Sequence, residues 1–222
     1  MTAPTVGYKR LLPLRRGMDA DTFLDDLRDA HGTELSRLSS SKAVYALTDG
    51  EMTGDAVRTG TARELHALTS VFDDWAETSE ADAADLFADA AVFAATSAGN
   101  FDTEAAGDAA TGITADALAG RESDVERLAG AAAALLVLEE LAGQLVGFFV
   151  GDADRTSADE FREFRSELGA YRDDAADLLA ENCADDADRE VASEAGADVI
   201  DGAYDWYVET LEGMGVKPKN VC

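Results

Sequence analysis

Apolar residues recur along this chain at spacings of three, four and seven, a period that predicts six helical segments and no strand. The first runs from about Asp21 to Leu47 and sets Leu24, Leu27, His31, Leu35, Leu38 and Tyr45 on one seam, before Thr48, Asp49 and Gly50 end it. The second, about Gly54 to Thr78, aligns Val57, Thr61, Glu64 or Leu65, Leu68, Phe72 and Trp75. A third, about Ala81 to Phe101, aligns Leu86, Phe87, Ala90, Phe93 and Ala94. Gly107, Gly112 and Gly120 then punctuate an irregular connection with a short helical turn near Ala115 to Ala119.

The fourth segment, about Glu122 to Val150, is the most apolar and should be the central helix. The fifth, about Ser157 to Cys183, carries a seam of Phe161, Phe164, Leu168, Tyr171, Ala175, Leu178 and Leu179. The sixth, about Asp186 to Glu212, turns Val191, Ala195, Val199, Trp206 and Leu211 inward until Gly213 and Gly215 stop it. Long amphipathic helices with short connections predict an all-α fold, an antiparallel bundle of four helices around one core with two more at the C-terminal end. The stretch from Ala131 to Val150 matches the roughly 20 residues that span a bilayer. Glu139 and Glu140 near its middle argue against insertion, and no aromatic belt or basic flank offsets them, so no membrane is expected.

Charge changes this picture at one end. The chain holds 18 Lys+Arg against 46 Asp+Glu, a formal net charge of −28. Lys9, Arg10, Arg15 and Arg16 all fall within the first eighteen residues, where no acid occurs, so the opposite sign fills the remainder. That shift marks residues 1–18 as a basic flexible tail, residues 19–217 as a single helical domain and residues 218–222 as a short C-terminal tail; a basic arm docked on the acidic body is the alternative. Such acidity suits molar salt, where the Debye length is roughly 3 Å, and only four lysines remain. A cytoplasmic, salt-adapted protein is expected. Cys183 and Cys222 form neither a disulfide framework nor a zinc pattern, and the acidic residues after Arg15 and Arg16 exclude a twin-arginine export signal.

No phosphate-binding glycine loop and no serine-nucleophile elbow occurs. The folded part has no basic stripe, so nucleic acid is not an expected partner; only the basic tail could touch it. What remains is a set of ionisable groups on apolar seams: His31 with Glu34 one turn on, Glu64 between Thr61 and Leu68, and Glu139 at the edge of the fourth stripe. Inward carboxylates and a histidine are the parts of a di-iron or di-manganese centre. The Glu-x-x-His pairs of such centres are missing, and His31 to Glu34 has the spacing reversed. The alternative is that His31 and Glu34 bond each other or Tyr45, with Glu64 reaching solvent at the bundle end.

The run His31-Gly-Thr-Glu-Leu-Ser-Arg-Leu-Ser-Ser-Ser-Lys42, the segment Phe72-Asp-Asp-Trp-Ala-Glu77, the stretch Gly147-Phe-Phe-Val-Gly-Asp-Ala-Asp154 with Phe161-Arg-Glu-Phe-Arg165, and the ending Tyr207-Val-Glu-Thr-Leu-Glu-Gly-Met-Gly215 resemble haloarchaeal proteins of the rubrerythrin family. The resemblance implies a ferritin-like four-helix bundle and, in active members, a di-iron centre that reduces peroxide beside a four-cysteine iron site. Two isolated cysteines cannot build the latter, and the third helix offers Ala91-Val-Phe-Ala-Ala-Thr96 where a carboxylate and a histidine belong. The expectation is therefore a non-enzymatic bundle without cofactor, acting as a homodimer or through a protein partner. Its rival is residual iron or manganese chemistry on peroxide or oxygen, held by His31, Glu34, Glu64 and Glu139.

Overall fold

The computed structural model describes residues 19–101 and 112–218, and among these it is a helical bundle with no strand. The helices are α1 (Ala20–Ala30), α2 (Gly32–Leu38), α3 (Ser41–Leu47), α4 (Gly54–Thr78), α5 (Ala81–Phe101), α6 (Ala115–Leu118), α7 (Asp124–Gly151), α8 (Arg155–Asn182) and α9 (Asp186–Gly213). The expected basic tail, residues 1–18, and Cys222 lie outside the described residues.

The expected first helix is three. Between α1 and α2 the chain turns at His31 (φ −112°, ψ 29°), next to a glycine that resists helix propagation. Between α2 and α3 the Ser40 hydroxyl donates to the Arg37 carbonyl at 2.6 Å, and Ser40 itself is extended. Serine side chains that bond the nearby backbone offer it an alternative to the helix, and three consecutive serines concentrate that effect. Leu24, Leu27, Leu35 and Leu38 are nonetheless all buried.

The long helices start where their caps dictate. Thr53 accepts from Ala56 N–H at 3.2 Å for α4, and Ser123 and Glu126 form a reciprocal capping box for α7. Asp154 accepts from Ser157 N–H at 3.1 Å for α8, and Asp185 from Ala187 N–H at 2.9 Å for α9. α7 is the spine, packed mainly on α8 and α9, while α4 and α5 form a second hairpin that meets it. Its stretch from Leu128 to Leu138 is buried throughout. Ala132, Ala133 and Ala134 keep neighbouring backbones close, and Gly130 goes further, since a Cβ there would stand 3.1 Å from Leu118. α7 is the one described helix long and apolar enough to cross a bilayer, and 56% of its most apolar window is buried inside the fold.

The α4–α5 turn is fastened to the start of α7. Arg127 donates to Ser79 Oγ at 2.9 Å and lies over the Trp75 ring, and Glu80 N–H donates to Asp124 at 3.1 Å. Trp75 and Phe87 fill this end edge to face, 5.1 Å apart. One expectation on α9 needs correction. Val191 is exposed, because Ala192, Ala195, Val199 and Ala203 face the core instead. Beyond α9 the chain is held to the body: Tyr207 donates to the Pro218 carbonyl at 3.1 Å and Lys42 to that of Lys217 at 2.8 Å.

Candidate functional site

Glu64 is the one buried carboxylate among the described residues, 4% exposed. α4 turns it inward with Thr61, Leu65 and Leu68, as the seam predicts, and there it meets the chain segment leading into α6. Oε1 accepts from Thr114 N–H at 3.0 Å and from the Thr114 hydroxyl at 2.7 Å, and Oε2 accepts from Ile113 N–H. Gly112 permits the approach: a Cβ on it would lie 2.6 Å from Oε2. Burial pushes the Glu64 carboxyl above its ordinary value and outweighs the hydrogen bonds from Thr114 and Ile113, which act the other way. Glu64 thus does not reach solvent at a bundle end. It lines an apolar void of about 10 Å³ on one side and, on the other, a polar cleft of about 220 Å³ shared with Asp49, Arg63 and Trp206.

The other three candidates are not gathered around it. His31 Nδ1 lies 3.3 Å from Asp201 Oδ1, so the histidine faces α9 rather than Glu34 or Tyr45. Glu34 is half-buried on α2. Glu139 pairs with Arg172 of α8, which also binds Asp173 at 2.7 Å, and Gly169 leaves room for its carboxylate. Among the described residues no three His, Cys, Asp or Glu side chains form a group able to hold a metal ion. His31, Glu34, Glu64 and Glu139 therefore do not come together as one group among the described residues. The seam places each of them toward a helix neighbour, but three of those neighbours are three different elements: α9, the α6 approach and α8. Cys183 is buried at the end of α8, where burial raises its thiol above the ordinary value.

A second polar network joins α4 to α8. Arg58 donates to Ser157 Oγ at 2.9 Å and to Glu160, and its guanidinium lies about 6 Å from the rings of Phe101, Phe149 and Phe161. Ser157 in turn donates to Asp154 at 2.6 Å, and these hydrogen bonds hold the Asp154 carboxyl below its ordinary value.

Beside this network α5 and α8 leave a groove of about 380 Å³ open to solvent. Its walls are aromatic: Phe93 stacks on Tyr171 at 4.8 Å, and Phe101 meets Phe164 edge to face at 5.0 Å. Val92 beside them is 67% exposed, the most exposed large apolar side chain described. Glu160, Glu163 and Glu167 form the rim, and neither Glu163 nor Glu167 has a hydrogen-bond or ion-pair partner among the described residues. Burial and the charges of Asp89, Glu167 and Asp174 raise the Tyr171 phenol above its ordinary value, so that end of the groove is a site of negative potential. Sequence reasoning aligned Phe161, Phe164 and Tyr171 as core. The signal it passed over was Glu160, Glu163 and Glu167 at helical spacing beside that seam.

No family model, no curated protein and no solved structure matches this chain.

Proposed function

We propose that the protein is a non-catalytic, ferritin-like helical bundle of a salt-adapted cytoplasm that acts by binding protein, with the groove between α5 and α8 as its binding surface. The observation that carries this reading is the engagement of Glu64: the one buried carboxylate accepts three hydrogen bonds that fix the segment entering α6. A carboxylate so held has few lone pairs left for a metal ion. Glu139 and His31 likewise have protein partners. The groove, by contrast, offers aromatic walls and uncompensated acids to solvent, the chemistry that receives a cationic segment with apolar side chains.

The test is to purify the protein in high salt, supply iron or manganese, and measure bound metal and peroxide consumption for the wild type and Glu64→Gln. Metal well below stoichiometric, with no peroxide turnover that depends on Glu64, is the expected result. Stoichiometric metal that is lost in Glu64→Gln would overturn the reading in favour of rubrerythrin-like chemistry.

A further inference from the structure

We infer that the groove between α5 and α8 is the docking site of this chain's own basic residues 1–18. This rests on the reading of that groove as a binding surface, which a protein partner then enters only by displacing residues 1–18. Three observations converge on the segment. The first is sign: the longest acid-free stretch of the sequence, residues 1–18, holds Lys9, Arg10, Arg15 and Arg16, and the groove rim holds Glu163 and Glu167 without partners among the described residues. In molar salt, where the Debye length is roughly 3 Å, complementarity of this kind acts only at contact, so a groove that brings the groups together is what gives it effect.

The second is apolar content. Tyr8, Leu11, Leu12 and Leu14 are interleaved with the four cations, matching aromatic walls beneath an acidic rim. The third is reach. The segment joins the body at Asp19, where α1 begins, and α1 packs on α8. Lys9, ten residues before Asp19, can extend up to about 35 Å from it, against about 42 Å for the 28 residues of α8. From most points where α1 meets α8, the stretch from Tyr8 to Leu14 is therefore long enough to reach the part of α8 between Glu160 and Tyr171. A second copy is a poorer occupant, because it would bring another surface of the same −28 chain against the acidic rim.

The experiment uses the full chain with a photo-reactive benzoyl-phenylalanine at the exposed Val92 position, its fold checked by circular dichroism. Cross-linked peptides are read by mass spectrometry from a mixture of isotope-labelled and unlabelled protein. Cross-links from Val92 into residues 1–18 of the same copy are expected. They should fall about tenfold when Lys9, Arg10, Arg15 and Arg16 are all changed to Glu, and recover when Glu163→Arg and Glu167→Arg are added. Cross-links that join labelled to unlabelled copies would overturn docking within one chain. Cross-links that miss residues 1–18, or that ignore the charge reversal, would remove this occupant. Neither of those results touches the metal and peroxide test, so the two readings fail separately.

Discussion

Gly112→Ala puts the Glu64 latch to a quantitative test, because the sign of its effect is unusual. Gly112 does not sit in the left-handed region, and at such a site alanine normally stabilises by about 0.4–1 kcal/mol through the unfolded chain. Here the new methyl would stand 2.6 Å from Glu64 Oε2, 3.0 Å from Ala115 Cβ and 3.2 Å from Ala67 Cβ. The carboxylate is the end of a flexible side chain, yet it cannot retreat without losing the Ile113 N–H, a hydrogen bond to a charged group worth about 1.5–3 kcal/mol. Crowding against the two alanines adds about 1–3 kcal/mol. Set against the entropic gain, the net expectation is a loss of about 1.5–5.5 kcal/mol. Urea unfolding followed by circular dichroism in high salt measures it. In a Glu64→Ala background the contact with Oε2 is gone while the two alanines remain, and Gly112→Ala should then cost about 0–2.5 kcal/mol, less than in the wild type by the lost hydrogen bond. A stabilised Gly112→Ala, or an equal cost in both backgrounds, would refute the latch.

The pH dependence of Glu64 has a definite sign. Its carboxyl titrates above 4.5 in the fold, so the native chain holds that proton more tightly than the unfolded one; the resulting stability is complete below about pH 4.5 and is lost as pH rises through the raised value. The stability of the wild type minus that of Glu64→Gln should accordingly fall over that window and then level off, and a difference flat from pH 4 to 8 counts against the assignment. Leu136→Ala, at a fully buried position of α7, should cost about 2–5 kcal/mol in the same urea assay. A cost below about 1 kcal/mol would mean that α7 is not the packed spine. Ser123→Ala removes one half of the α7 capping box and should cost about 1 kcal/mol, while Ser166→Ala on the exposed face of α8 should be neutral within about 0.5 kcal/mol.

The long helices were legible because their seams and breakers agree. Gly54–Thr78 ends where Ser79 says it should, α5 begins at the expected Ala81, and α7, α8 and α9 fall within a residue or two of expectation. The run from Asp21 to Leu47 misled because its apolar period survives two breaks: a turn at His31 and another at Ser39–Ser40 return the leucines to the same side. Within the site, the inward aim of Glu64 was readable from Thr61 and Leu68, but its partners were not. They lie 49 and 50 residues further on, in a connection with no periodicity to place it. For the same reason Asp201, the partner of His31, could not be foreseen, and the groove escaped notice because a seam says which residues turn inward without saying how completely a neighbour covers them.

The position of α7 in the order of synthesis carries a consequence of its own. Its two principal neighbours, α8 and α9, both follow it in the chain. At the usual elongation rate of about 5–20 residues per second, the ribosome needs about 2–6 seconds after Gly151 to finish the 28 residues of α8 and the turn before it. Until then α7 has the length and composition of a membrane span and nothing C-terminal has been made to cover it. Glu139 and Glu140 place two carboxylates inside that apolar stretch, where each would add to the cost of entering a bilayer, and Glu139 takes up its ion pair only once Arg172 has been made.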